Sequence, residues 1–114
     1  MIKRNPHAKK RLESQILESL SFSLRKDFAD PHFRRLSITH VEVSADSAYA
    51  KVYWDTFNTE EKEEIAKTLS KYEGRLRKKL SQALAVRHTP ELRFIYNSQY
   101  EEEQKITDLL KQNS

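Results

Sequence analysis

The sequence predicts a single α+β domain in which three helices cover one face of a three-stranded sheet, in the order α-β-β-α-α-β. Three stretches carry apolar residues at intervals of three or four positions, which is the spacing of one helix face. Three others alternate apolar and polar residues, as a half-buried strand does. A chain of 114 residues with 37% hydrophobic residues can build one modest core but not two. Helices and strands would each bury one face against the other layer.

The first helix is predicted over about residues 7–28. Apolar residues recur at every fourth position from Leu12 to Leu24, so one face of the helix is apolar along its length. Asp30-Pro31 should end this helix, because proline disfavours a helical conformation in the residue before it.

Two strands follow the first helix. The stretch from Leu36 to Val43 alternates, but its first and last apolar pairs have opposite phase. We therefore expect a β-bulge near Thr39-His40 that brings both pairs to one face. Residues 44–47 are a predicted turn, and residues 48–54 alternate again with aromatic side chains. The two strands should pair as an antiparallel hairpin.

The second half of the chain predicts two helices followed by a third strand. Asn58, with a glutamate three residues later, has the spacing of a capping box that starts the second helix. Gly74 is the only glycine, and it predicts a kink between the second helix and a third that runs to about Val86. Thr89-Pro90 breaks the helical pattern before a third strand over residues 92–96.

The chain divides into a predicted domain of residues 1–98 and a C-terminal tail of residues 99–114. The tail predicts a short docking helix from three apolar residues, Ile106, Leu109 and Leu110. The order of elements in the domain is that of a type II KH-like RNA-binding fold. A KH domain clamps RNA with a GXXG loop, which a chain with one glycine cannot form. A helix-kink-helix at Gly74 would stand in place of that loop.

Several kinds of site are excluded by residues that the chain lacks. Without cysteine there is no disulfide or thiolate metal ligand, and one glycine is too few for the phosphate-binding loops of nucleotide-binding enzymes. The four histidines share no metal-ligand spacing, and no nucleophile has a base beside it in the sequence. We therefore expect no enzymatic activity, no metal and no cofactor. No stretch is apolar over the length of a membrane span, so we expect a cytoplasmic protein.

Positive charge is concentrated in parts of the chain. The net charge is +4, but seven acidic residues lie in two short runs, so basic residues dominate elsewhere, including Arg25-Lys26 and Arg34-Arg35. This bias suits a partner that carries phosphates, which lysine and arginine contact irrespective of base sequence. The start of the predicted third helix would add backbone N–H groups that favour an anion. The candidate RNA-binding residues are Lys3, Arg4, Lys9, Lys10, Arg11, Gly74, Arg75, Arg77, Lys78, Lys79, Arg87 and His88.

Two other functions fit the same sequence. A general KH-like RNA-binding protein would bind any polyanion about equally, and a protein-interaction module would use the Tyr53 and Trp54 region or the tail. Tyr49, Tyr53 and Trp54 are also candidates for stacking on bases. Packing is the favoured interpretation of these aromatic residues, because Tyr53 and Trp54 are adjacent and must face opposite sides of the sheet.

Four motifs occur in a specific order and spacing. They are Asp30-Pro31, SADSAYAKVY at 44–53, GRLRKKL at 74–80 and VRHTPELRF at 86–94. Together they resemble the bacterial ribosome-binding factor A family over about residues 8–110. The chain departs from the family pattern at Tyr72, where the family has a small alanine, and at Asn97, where aspartate is usual.

The resemblance implies a KH-like fold with an Ala-x-Gly kink in place of the GXXG loop. It also implies a monomeric assembly factor that binds the free or immature 30S ribosomal subunit through 16S rRNA. Such a factor assists 16S rRNA processing and small-subunit maturation without catalysis, and it is important during growth in the cold. Ribosomal proteins and assembly GTPases are further candidate partners under this resemblance.

Overall fold

The computed structural model describes residues 6–84, 86–98 and 106–111. The described domain contains two α-helices and three strands. They are α1 (Pro6–Lys26), β1 (Leu36–Val43), β2 (Tyr49–Thr56), α2 (Lys62–Ala83) and β3 (Glu91–Tyr96). Short 3-10 turns precede β1 (Pro31–Arg35) and α2 (Thr59–Glu61). Residues 106–111 are also helical.

The strands form one mixed sheet in the order β1-β2-β3, which confirms the predicted α+β class. β1 and β2 are antiparallel, as predicted for the hairpin, whereas β2 and β3 are parallel. A parallel pair needs a long crossover between its strands, and α2 provides it. α1 and α2 pack together on the sheet, so the opposite face of the sheet is not covered by either helix.

The predicted bulge in β1 is present between Ile38 and His40. Before it, Ile38 pairs with Trp54, and after it Val41 pairs with Val52, so both halves of β1 turn their apolar residues toward the core. The extra residue is Thr39, whose hydroxyl donates to the carbonyl of Tyr53 at 3.3 Å. The bulge therefore resolves the change of phase that the sequence shows.

The start of α2 corrects the predicted capping box. The Asn58 side chain accepts from the backbone N–H of Glu60 at 3.2 Å, but it caps a 3-10 turn and not the α-helix itself. The N–H of Asn58 donates to the Thr56 hydroxyl at 3.3 Å, so it is not held by a glutamate. The carboxylate of Glu61 instead lies 3.6 Å from the Arg35 guanidinium.

The prediction of two helices on either side of Gly74 is wrong. α2 is one α-helix of 22 residues that passes through Gly74 without a break. Its buried residues Ile65, Leu69, Leu76 and Leu80 form one stripe on both sides of the glycine. Burial of this stripe favours a continuous helix by more than the roughly 1 kcal/mol that glycine disfavours it.

The core lies between the helices and the inner face of the sheet. Its largest fully buried side chains include Trp54 from β2, Ile16 and Leu20 from α1, and Leu92 from β3. α1 is also attached to β1 by a polar contact, in which Glu13 Oε2 accepts from the backbone N–H of Val43 at 2.8 Å. These contacts fix the position of α1 relative to the sheet.

Residues 106–111 lie in the predicted tail. Their apolar side chains are largely exposed, with Ile106 and Leu109 each at 58% and Leu110 at 66%. This helical turn therefore does not bury its apolar residues against the domain as a docking helix would. The division into a domain and a tail remains a prediction.

Candidate RNA-binding surface

The second half of α2 separates apolar and basic residues onto different faces. Leu76 and Leu80 are buried, whereas Arg75, Arg77 and the lysines at 78 and 79 are exposed. Because successive residues of a helix are about 100° apart, Arg77 points to one flank of the helix, Arg75 and Lys79 point to the other, and Lys78 lies between them on the outer face. The predicted basic cluster is therefore divided between two neighbouring grooves.

The loop groove lies between α2 and the segment that leads into β3, with a volume of about 460 Å³. It brings together five of the predicted RNA-binding residues, two of them from the loop. The described residues that line it include no carboxylate. They are Gly74, Arg77, Lys78, Ser81, Val86, Arg87, His88 and Thr89.

Several contacts hold the loop beside α2. Arg77 Nη2 donates to the carbonyl of Thr89 at 2.9 Å. On one side of the loop, Leu84 is buried and its N–H donates to the Leu80 carbonyl at 2.9 Å. On the other side Pro90 is fully buried, and the N–H of Glu91 donates to the carbonyl of Ala48 at 3.0 Å. The groove is thus preorganised from both ends.

The helix groove lies on the other flank of α2, where the helix meets the end of α1. It has a volume of about 430 Å³ and is lined by Asp27, Phe28, Arg75, Lys78, Lys79 and Gln82. Lys79 Nζ lies 4.0 Å from Asp27 Oδ1, so part of its positive charge is balanced. Lys78 lines both grooves and connects them.

The remaining predicted residues lie elsewhere. Lys9, Lys10 and Arg11 are exposed at the start of α1 and line neither groove. Lys9 lies about 25 Å along the helix from Lys26, the last residue of α1, given a rise of about 1.5 Å per residue. Lys3 and Arg4 lie outside the described residues.

The anion site predicted at a helix start is wrong in its mechanism. Because α2 continues through Gly74, the backbone N–H groups of the residues that follow are inside a helix and already have intrahelical acceptors. Positive charge in the loop groove comes from side chains alone. Gly74 remains on this surface as an exposed residue of the helix.

Ser81, Val86 and Thr89 line the loop groove but were not predicted. Ser81 lies four residues after Arg77 and three after Lys78, a spacing that places it on the same helix face. This spacing could have identified Ser81. No local sequence pattern could reveal the hydrogen bond between Arg77 and the Thr89 carbonyl, because this contact depends on where β3 joins the sheet.

The strand aromatics mostly pack, as the favoured interpretation predicted. Trp54 is buried and contacts the Tyr96 ring at 4.9 Å between centroids. Tyr53 faces the opposite side of the sheet and stacks on His40 at 5.6 Å. Tyr49 lies under the Arg93 guanidinium at 3.9 Å, also on that side. Trp54 is therefore not accessible to a base.

Two other classes of site are absent from the described ranges. No group of three or more histidine, aspartate or glutamate side chains there is placed to hold a metal ion. No helix within residues 6–84, 86–98 and 106–111 is long and apolar enough to cross a membrane.

Comparison with known proteins identifies the family. Residues 8–110 match the family described as ribosome-binding factor A. The chain belongs to the ribosome-binding factor A family. The family member from Dechloromonas aromatica is 33% identical over 102 residues, which cover 90% of this chain and 83% of that protein.

Solved structures of ribosome-binding factor A also resemble this fold. The crystal structure of the Thermus thermophilus factor has a TM-score of 0.70 and 30% identity, covering 77% of this chain and 94% of that one. A homology model of the Thermus thermophilus factor, fitted into the cryo-EM map of a 30S complex, has a TM-score of 0.62 and 30% identity. That alignment covers 75% of this chain and 90% of the fitted one.

Proposed function

We propose that this member of the ribosome-binding factor A family binds the 30S ribosomal subunit through 16S rRNA, with the loop groove as its principal contact. The observation that carries this proposal is the groove itself, where Arg77, Lys78 and Arg87 converge without a carboxylate among the described lining residues. Converging arginine and lysine side chains are suited to the phosphates of an RNA backbone. The fitted 30S complex of the Thermus thermophilus relative supports the same partner.

The factor would act without catalysis in the cytoplasm, as a monomer, on free or immature 30S subunits. Binding energy is then its only means of assisting 16S rRNA processing and subunit maturation. A ligand shifts a conformational equilibrium only by its difference in affinity for the two states. Moving rRNA from 1:99 to 99:1 in favour of one conformation needs about 5.5 kcal/mol of such a difference. The need would be greatest in the cold, where incorrect RNA conformations persist longer. Ribosomal proteins and assembly GTPases are proposed further partners.

The test replaces Lys78 and Arg87 together by glutamine. Neither side chain has a hydrogen bond or ion pair within the described structure, so the double variant removes charge without loosening the loop, which Arg77 still holds. We expect its affinity for 30S subunits to fall about ten- to a hundredfold, as charged hydrogen bonds contribute about 1.5–3 kcal/mol each before solvent screening. Co-sedimentation of the parent and the variant with 30S subunits, 70S ribosomes and an unrelated structured RNA measures these affinities.

The matched control replaces Lys51 and Lys67 by glutamine. These residues lie on the sheet and on the first half of α2, line neither groove, and carry the same total charge. This control should bind 30S subunits nearly as the parent does. Equal losses in both double variants would show that only net charge matters, and equal binding of all three RNAs would reduce the protein to a general RNA binder.

A further inference from the structure

A third basic surface lies at the corner where α1 ends and the 3-10 turn before β1 begins. We call it the corner pocket; its volume is about 500 Å³. Three basic side chains line it, namely Arg25, Lys26 and Arg34. They come from two separate elements, so their convergence is a result of the fold and not of one basic run.

Asp30 is the one carboxylate among the described residues of this pocket, and it is already engaged. Its Oδ1 accepts from the backbone N–H of His32 at 3.0 Å and lies 2.9 Å from His32 Nδ1. The neighbouring Arg35 differs from Arg34, since its guanidinium lies 3.6 Å from Glu61. Arg34 and Lys26 have no hydrogen bond or ion pair within the described structure, and both are exposed.

Helix stability does not account for all three cations. Arg25 and Lys26 occupy the last turn of α1, where positive charge favours the helix dipole, and Arg25 Nε donates to the Ser21 carbonyl at 3.2 Å. Arg34 lies in a 3-10 turn of only five residues, which has too few aligned peptides for a comparable dipole. Its exposed guanidinium makes no hydrogen bond or ion pair in the part of the chain that the structure describes.

The corner pocket adjoins the helix groove, which in turn adjoins the loop groove. Phe28 lines both the corner pocket and the helix groove, and Lys78 lines both the helix groove and the loop groove. A basic track therefore runs from Arg34 past the end of α1 and over α2 to Arg87. Between them, Asp27 Oδ1 lies 4.0 Å from Lys79 Nζ, so these two charges offset each other on the track.

We propose that the corner pocket is a second phosphate-binding site for the rRNA held in the loop groove, with Lys26 and Arg34 as its contacting residues. This inference rests on the proposed function. Phosphates repeat along an RNA strand at regular intervals, so a track of separated cations suits one extended segment of RNA better than a compact anion. The corner pocket would fix the orientation of the protein on the subunit.

The test compares three glutamine double variants, each lacking two positive charges. The corner variant changes Lys26 and Arg34, the groove variant changes Lys78 and Arg87, and the control changes Lys51 and Lys67. Binding to purified 30S subunits is measured by co-sedimentation across a salt series, after urea unfolding has shown the same midpoint as the parent. For the corner variant we expect about tenfold weaker binding and a slope of log affinity against log salt that is shallower by about 0.7–0.9 per lost phosphate contact.

The outcomes separate this inference from the proposed function. Parental affinity and slope in the corner variant, with weakened binding in the groove variant, would overturn the corner site and leave the proposed function standing. Parental binding in both the corner variant and the groove variant would overturn the corner site and the proposed function together. Weakened binding in both, with an unchanged control, supports a track that includes the corner pocket.

Discussion

Gly74 is an unfavourable residue at its position for the stability of α2. It lies in the interior of the helix, has no positive φ angle, and a β-carbon added there would meet no heavy atom within 4 Å. Gly74→Ala should therefore raise the free energy of unfolding by about 0.5–1 kcal/mol, because alanine has less backbone entropy to lose. Urea unfolding monitored by circular dichroism measures the change.

The same substitution tests why glycine is present. Gly74 lines the loop groove beside Lys78, where a methyl group would occupy space next to the proposed rRNA backbone. We expect the more stable Gly74→Ala protein to bind 30S subunits less tightly than the parent. Unchanged binding would show that rRNA does not approach the helix backbone here, and a lower unfolding midpoint would contradict the structural account of Gly74.

Tyr72 occupies the position where the family resemblance predicts a small alanine. Its ring packs against Phe28 at 5.1 Å and Phe33 at 5.8 Å between centroids. Phe28 and Phe33 are themselves 6.0 Å apart, so the three rings form one cluster between α2, the end of α1 and the 3-10 turn. The larger side chain points toward the core side of α2, away from the loop groove. The tyrosine therefore joins the elements that carry the corner pocket and the helix groove.

At the scale of elements, the contact between Glu13 and Val43 joins α1 to the end of β1. Glu13 Oε2 accepts from the Val43 N–H at 2.8 Å in a partly buried position. Glu13→Ala should lower the free energy of unfolding by about 1–2 kcal/mol, since it leaves that N–H without its acceptor. Glu13→Gln keeps an acceptor oxygen at the same reach and is the control; it should lose less than half as much in urea unfolding. Equal losses in both would mean that the charge, and not the hydrogen bond, matters.

The elements that the sequence predicts well are those with a local cause. α1 and the β1 bulge follow from the spacing of apolar residues, which is visible within a few positions. The prediction of a break at Gly74 was wrong because the low helix propensity of glycine is a small effect. The buried apolar stripe of Leu69, Leu76 and Leu80 lies on both sides of the glycine, and its burial outweighs that effect. Asn58 was correctly identified as a cap, but it caps a 3-10 turn that precedes α2 and not the α-helix itself.

At the scale of the whole molecule, the sequence identifies basic residues but not which of them share a surface. Arg77, Lys78 and Arg87 meet in the loop groove because β3 returns beside β2 and holds the preceding loop against α2. Lys9, in an equally basic run, lies on a distant part of α1. Arg34 gains its position in the corner pocket only from the packing of α1 on the 3-10 turn. Such groupings are properties of the tertiary fold.

The dependence of 30S binding on salt distinguishes the proposed function from a protein-interaction module. Three cations of the loop groove, Arg77, Lys78 and Arg87, would displace counterions from rRNA, each contributing about 0.7–0.9 to the slope of log affinity against log salt. We therefore expect a slope of about −2 or steeper over roughly 0.05–0.2 M salt, and a shallower slope for the Lys78→Gln, Arg87→Gln variant.

The side of the sheet that carries Tyr53 has both signs of charge, with Glu42 opposite Lys51, so binding through that side should depend little on salt. Tight binding that resists added salt would contradict an rRNA contact through the loop groove and favour that side of the sheet or the exposed apolar residues at 106–110 as the site of interaction.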